Sequence, residues 1–506
     1  MDQDTTPVLN AIEEIRKAGT YTFSLPGHRY GRGVDDRTAE VLSYGAFAAD
    51  VMLAKSAVSD AEALYADAVG ARQAIFTTCG SSISIHTAVL TVSGPGRKVL
   101  VDRNVHKSVV GSLILAGAEP VWLRPRWDHE REIAHPATAG DVAEALRRHP
   151  DITSVVMITP TEYGTGADVG GVADLCHERG IPLLVDEAWG GHFGFHPDPP
   201  TAAVQAGADI AVQSLHKADG GLCQSSMMLL GGDLVDPVDL RLRLDLVTTT
   251  SPSPLMYGSI DGWRRHLALN GEALIDGALE RADRIRGRLQ RQERFTVIDE
   301  SIHETDGVAE WDPLKLCVDV SRLGLTGYQV KEWLQSERQL AAQLGDARQV
   351  VCSLSYADDD AAIDRLAEAF EALAADPPSP DRAEPAVPPL EELNLEQVMP
   401  PRDAFFADTE QVADPVGRLA AEMISPYPPG VPAILPGERF NQAVVTYLRA
   451  GKAAGMTIPD ASDPDLNTFR VVRSGWPRSR RGMGRGPPEH AGDNAAGVIF
   501  AAVRFP

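Results

Sequence analysis

The sequence has no run of about 18 apolar residues that could span a membrane, and its start, MDQDTTPVLNAIEEIRKAG, has no basic stretch leading into an apolar one. Neither a membrane partner nor a secretory signal is therefore expected. Cysteine is sparse: Cys79, Cys176, Cys223, Cys317 and Cys352 are scattered, with no CxxC spacing and no adjacent histidine pair. That excludes a zinc-type cluster, leaves no metal to expect, and fits a reduced, cytosolic chain. Basic residues are outnumbered, 47 Lys and Arg against 71 Asp and Glu, for a net charge of −24. Nucleic acid is excluded as a partner on that ground, because nonspecific binding draws on clustered cations that release counterions from phosphates.

What the chain does have is core material. At 506 residues, 43% hydrophobic and 23% charged, it has the profile of a globular protein with more than one domain. Between residues 70 and 230, short apolar runs (AIFTTCG, KVLVDR, PVWLRP, SVVMITP, IPLLVDEA, DIAVQS, SSMMLL) alternate with helical patterns. Continuous apolar strands separated by helices predict a parallel or mostly parallel sheet buried on both faces, with ligands at the carboxyl ends of the strands. The fold class is therefore α/β. A second, smaller α/β unit follows, with an amphipathic helix at DAAIDRLAEAFEALAA that places Ile363, Leu366, Ala367 and Phe370 on one face. The expected organisation is an N-terminal arm (1–55), a large domain (56–258), a small domain (259–375), a Pro-rich linker (376–392), a C-terminal α+β domain (393–472) and a basic, flexible tail (473–506).

Polar clusters fall just after the strands: CGSS, DRNVHKS, TPTEYGT, DEAWGGH and SLHK. The last raises a specific question, because a lysine at a strand end beside a hydroxyl and an imidazole is either a solvated charge or a reactive amine. If Lys217 condenses with the aldehyde of pyridoxal 5'-phosphate, a set of further demands follows, and each has a candidate. Gly80, Ser81 and Ser82 open a helix after a strand and offer free N–H groups to a phosphate, although such a turn also serves as a plain helix cap. Asp186 follows four apolar residues and would need a cation such as a protonated pyridine nitrogen, unless it bonds a loop instead. Ala188 leaves room beside a ring, Trp189 can line the pocket, and His106 can stack on a pyridine face or be an ordinary surface or core histidine. Ser214 and His216 flank the lysine and can both point toward a phosphate.

SLPGHRYGRG, CGSSISIH, DRNVHKS, PTEYG, DEAWGGHFGFHP, QSLHK, TTTSPSPL and PYPPGVPAILPGE occur in this order, and in this the chain resembles the Orn/Lys/Arg decarboxylase family, bacterial basic amino acid decarboxylases of pyridoxal-phosphate fold type I. The resemblance spans roughly residues 20 to 472 and is to the short form, without an N-terminal response-regulator-like domain. It implies an aspartate aminotransferase-like large domain and decarboxylation of arginine, lysine or ornithine to the corresponding amine. It also implies a homodimer or higher homo-oligomer with sites at the subunit interface. By resemblance, Lys217 bonds the cofactor and Asp186 pairs with the pyridine nitrogen. His106 stacks on the ring, and Ser81, Ser82, Ser214 and His216 hold the phosphate. Thr161 approaches the phenolic oxygen, and Thr250 or Ser251 reaches the neighbouring subunit's phosphate. Lys217 or His216 returns a proton to Cα.

Two positions depart from the family pattern: Glu162, where relatives often have an aromatic or aspartate, and Trp189, where many have histidine. A cationic substrate needs an acid at the far end of its pocket, and Glu438 is the first candidate, with Glu162 the second. Competing readings are aminotransfer or aldol cleavage on the same scaffold, and an inactive regulatory homologue.

Overall fold

The computed structural model describes residues 21–23, 27, 29, 32–44, 55–379, 395–426, 430–453 and 455–475. Most of the expected N-terminal arm, the linker beyond residue 379 and the tail beyond residue 475 lie outside the described residues.

All seven apolar runs become strands of one sheet. They are β1 (Gln73–Thr77), β2 (Lys98–Asp102), β3 (Glu119–Leu123), β4 (Ile152–Ile158), β5 (Leu183–Asp186), β6 (Ile210–Gln213) and β7 (Ser226–Leu230). The order across the sheet is β1, β7, β6, β5, β4, β2, β3. Pairing is parallel except for β7, which runs antiparallel to both neighbours. Successive side chains point to opposite faces, so one run feeds two cores. Leu100, Val155, Met157, Leu183 and Val185 pack into the larger core, whereas Val99, Val101, Val156, Ile158 and Leu184 pack into the other.

Helices cover both faces. α1 (Lys55–Val69), α2 (Gly80–Val92), α3 (Lys107–Ala116), α4 (Ala139–Arg148) and α5 (Val169–His177) accompany the strands, followed by α6 (Pro237–Val247). α7 (Pro254–Gln290) has 37 residues, roughly 55 Å at the α-helical rise. It leads to an antiparallel sheet of β8 (Thr296–Val297), β9 (Lys315–Asp319), β10 (Leu344–Gly345) and β11 (Gln349–Ser353), ordered β8, β9, β11, β10. α8 (Gly327–Arg338) packs on this sheet, and α9 (Asp360–Ala375) buries Ile363, Leu366, Ala367 and Phe370, the face expected from its spacing. No described helix is long and apolar enough to cross a membrane.

The C-terminal residues form a third core around Leu395, Ile424, Phe440, Val444, Leu448 and Phe469, built on α10 (Gln442–Ala453) and the antiparallel pair Thr409–Val412 and Phe469–Val472. This unit is fastened to the large sheet by Arg103, which follows β2. Its guanidinium donates to Pro432 O at 3.0 Å and to both Glu438 carboxylate oxygens at 3.1 Å, with the Trp122 ring 5.4 Å away. The Lys107 amide adds a bond to Gly430 O at 3.0 Å.

This arrangement corrects the expectation for Glu438. The side chain is fully buried, and its carboxylate is bonded by Arg103 and by the Leu435 amide at 2.8 Å. In this chain the carboxylate is bonded to Arg103 and is not among the walls of the cavity that holds Lys217. Glu438→Ala should cost about 3–5 kcal/mol, because it strands the buried guanidinium. Denaturant unfolding checks this, and a variant as stable as the parent would return Glu438 to the substrate candidates.

Candidate active site

β4, β5 and β6 end on the same edge of the sheet, and the helices α2 and α3 begin there. The turn after β6 is fixed by backbone bonds from Leu215 N to Ser225 O (3.1 Å), Lys217 N to Ser214 O (3.1 Å) and Gly221 N to Leu215 O (2.9 Å). These hold Lys217 at the mouth of the strand with its side chain turned inward. Among the described residues, its Nζ makes no hydrogen bond or ion pair, and it lies 4.0 Å from the centroid of the Trp189 ring. Burial lowers its pKa to about 8, against the opposing pull of Asp186 and Glu162. An amine so placed has a substantial neutral fraction near physiological pH.

Asp186 ends β5 and is buried. Its Oδ1 accepts from the Ala188 amide at 3.2 Å, the one hydrogen bond to this carboxylate among the described residues. Burial raises its pKa, while Lys217 and the Ala188 N–H work in the opposite direction. A buried acid with one weak donor is short of a cationic partner.

His106 is the N-cap of α3. Its Nδ1 accepts from the Ser108 amide at 3.2 Å and lies 2.8 Å from the Ser108 hydroxyl. The cap fixes the ring's orientation, and burial, followed by the charges of Lys217 and Lys107, lowers its pKa to about 3. The ring is therefore neutral and serves as a flat surface rather than a charge.

His106, Glu162, Asp186, Ala188, Trp189 and Lys217 line one small cavity, together with Ile158 and Val431. The other expected residues fall around it. α2 starts at Gly80, whose φ of +78° suits glycine and whose N–H goes to Gln224 O at 2.9 Å. Its N-cap, Cys79, makes no capping hydrogen bond. Among the described residues nothing engages the hydroxyls of Ser81 and Ser82, so this helix end is left open, as an anion cradle requires. Ser214 Oγ lies 3.3 Å from His216 Nδ1, which is itself 3.2 Å from Ser225 O.

Thr161, Thr250 and Ser251 are engaged or placed elsewhere. The Thr161 hydroxyl is spent on Thr165 Oγ1 at 2.8 Å in the buried turn after β4. Thr250 and Ser251 are exposed in the segment between α6 and α7.

Several neighbours were not anticipated from the sequence. Lys315, from β9, is buried, donates to Gln343 Oε1 at 3.2 Å and Ser353 Oγ at 2.7 Å, and places its Nζ 3.8 Å from the centroid of the Trp189 ring. Burial lowers its pKa to about 8. Behind the Lys217 turn, His192 sits between Asp219 (3.3 Å) and Asp312 (3.9 Å), all three buried. Burial opposes its charge, but the two carboxylates outweigh burial and push its pKa up to about 10. Val431 comes from the C-terminal unit. The only sequence signals for these residues were isolated acids and a lysine in HKADGG and WDPLKL.

These features fit pyridoxal phosphate. An unpartnered amine, a buried acid lacking a cation, an uncapped helix start, a small Ala188 and a clamped neutral ring answer the aldehyde, pyridine nitrogen, phosphate and ring faces respectively.

Comparison with known proteins agrees. The family described as Orn/Lys/Arg decarboxylase, major domain, matches residues 6–362, and its C-terminal domain matches residues 391–462. The chain is 35% identical over 483 residues to an arginine decarboxylase of Halalkalibacterium halodurans, covering 93% of this chain and 98% of that protein. It is 34% identical over 488 residues to an arginine decarboxylase of Bacillus subtilis, covering 94% and 99% respectively. In fold it is similar to the constitutive lysine decarboxylase of E. coli, with a TM-score of 0.67 at 20% identity over 92% of this chain and 81% of that one. The chain therefore belongs to the Orn/Lys/Arg decarboxylase family, enzymes of pyridoxal-phosphate fold type I that decarboxylate basic amino acids.

Proposed function

We propose that the protein converts arginine to agmatine and carbon dioxide. The observation that carries the choice of arginine is the near full-length similarity to arginine decarboxylases, at 34–35% identity. Lysine decarboxylases are similar at 24%.

Bound pyridoxal phosphate supplies a carbonyl for amine exchange and an electron sink for the carbon that loses its carboxylate. The chain's own residues then divide the remaining work. Lys217 offers an amine that burial keeps partly unprotonated, so it can attack and be displaced near neutral pH. Asp186 holds the proton of the pyridine nitrogen, since a carboxylate with a single donor gains most from a cation at that point. The open start of α2, with Ser81 and Ser82, would bind the phosphate, together with Ser214 and His216. His106 would lie against the cofactor ring, and the small Ala188 would leave space for it. Val431 and Trp189 narrow the cavity against water, which strengthens each charge interaction inside it.

We further propose that the working unit is a homodimer. α6 exposes Val238, Leu242 and Leu246 at a four-residue spacing along one face, and the exposed Thr250 and Ser251 follow it directly. Covering that face with a second copy would carry Thr250 and Ser251 to the neighbouring cofactor's phosphate.

A panel of arginine, lysine and ornithine should yield agmatine as the main product. Cadaverine or putrescine in its place would overturn the arginine assignment, and a keto acid would overturn decarboxylation. Borohydride reduction of the cofactor-loaded protein should fix the cofactor to the Lys217 peptide, and Lys217→Ala should abolish both labelling and turnover. Leu242→Glu combined with Leu246→Glu should shift sedimentation from dimer to monomer and lower cofactor retention. A dimer unaffected by this pair would place the interface elsewhere.

A further inference from the structure

Decarboxylation of an amino acid consumes one proton per carbon dioxide released, and something in the cavity must deliver it. Lys217, one of the two donors that the resemblance names, must be unprotonated to act as the exchanging amine, and His216, the other, is poorly placed, because its Nδ1 is occupied by Ser225 O and its side chain is not among the cavity walls. Glu162 is placed differently. It is buried, and it lines the same small cavity as Lys217, Asp186 and His106. Among the described residues no other side chain bonds its carboxyl, and its one donor is its own backbone N–H. The charged groups around it are Lys217 after β6, Lys315 on β9, and Asp346 between β10 and β11, the last already tied to the Tyr163 hydroxyl at 2.6 Å. Glu162 thus shares the wall of one small cavity with the reacting amine.

We propose that Glu162 is the acid that protonates Cα after carbon dioxide leaves. This rests on the decarboxylase reading above. The bond from Cα to the carboxylate breaks with its electron pair remaining on Cα. The O–H of Glu162 gives up its proton to form the new C–H bond, and the resulting carboxylate takes a proton from water before the next turnover. Burial keeps such a group protonated where an exposed glutamate would be ionised, pushing its pKa to about 7, with Lys217 and Lys315 acting against the shift and Asp346 with it. The donor must be protonated to work, so turnover should fall as pH rises through its ionisation.

The test uses Glu162→Gln and Glu162→Asp in the full chain. Glu162→Gln should lower kcat for arginine by about 10²-fold or more, leave KM nearly unchanged, and remove the alkaline limb of the kcat profile. Glu162→Asp should recover part of the rate. Infrared difference spectra of the cofactor-free protein, parent minus Glu162→Gln, should show a protonated carboxyl component that titrates near pH 7. A parental kcat in Glu162→Gln, a raised KM at unchanged kcat, or no carboxyl component lost between parent and variant would each overturn the proposal while leaving the decarboxylase reading intact. A parent that forms no amine from any basic amino acid would defeat that reading, and this one with it. Should Glu162→Gln fail to fold, the kcat profile of Glu162→Asp decides: an alkaline limb displaced from the parent's supports the proposal, and an unmoved limb overturns it.

Discussion

Removing an ammonium from water without giving it a counter-ion is expensive, and the site is organised around that cost. Lys217 sits in a wall of Trp189, Asp186, Glu162 and His106 with nothing among the described residues to bond its Nζ. The amine responds by holding its proton less tightly, which is what a nucleophile needs. The nearby acids keep this from going further, since Asp186 and Glu162 both favour the charged amine. Each acid is in turn short of donors. The cavity is therefore a set of mutually dependent, under-satisfied groups, and such an arrangement persists only if the surrounding fold holds it in place.

The fold supplies that support from three directions. The parallel strands β4, β5 and β6 bring their carboxyl ends to one edge, so residues far apart in sequence meet at a common depth. Behind the lysine turn, the buried group of His192, Asp219 and Asp312 joins the large sheet to the residues preceding β9. Above it, Arg103 and Glu438 hold the C-terminal unit down so that Val431 closes the cavity. Glu438 thus serves the site from a distance, as half of a fastening rather than as a ligand.

The parts of this architecture governed by local pattern were legible in the sequence. Apolar runs of strand length marked all seven strands of the large sheet, the spacing of Ile363, Leu366, Ala367 and Phe370 marked the buried face of α9, and polar clusters after strands marked the site edge. Contacts between distant segments were not legible. Nothing local distinguishes Glu438, buried against a cation 335 residues away, from an acid waiting for substrate. Lys315 and Val431 arrive from other units for the same reason. The Thr161 hydroxyl looked available because its partner, Thr165, closes on it through the chain's turn after β4 and not through any residue-type signal. Glu162 and Trp189 stood out as departures from the family pattern, but their chemical environment became readable only when Lys217 and Lys315 were seen beside them.

The central claim is that burial, outweighing the pull of Asp186 and Glu162, makes Lys217 an unusually acidic ammonium. The most direct measurement is the pH dependence of its acylation in the cofactor-free protein, followed on the Lys217 peptide by mass spectrometry. The structure predicts a midpoint near pH 8. A midpoint at the ordinary lysine value of about 10.4 would mean the amine is solvated, and would contradict the account.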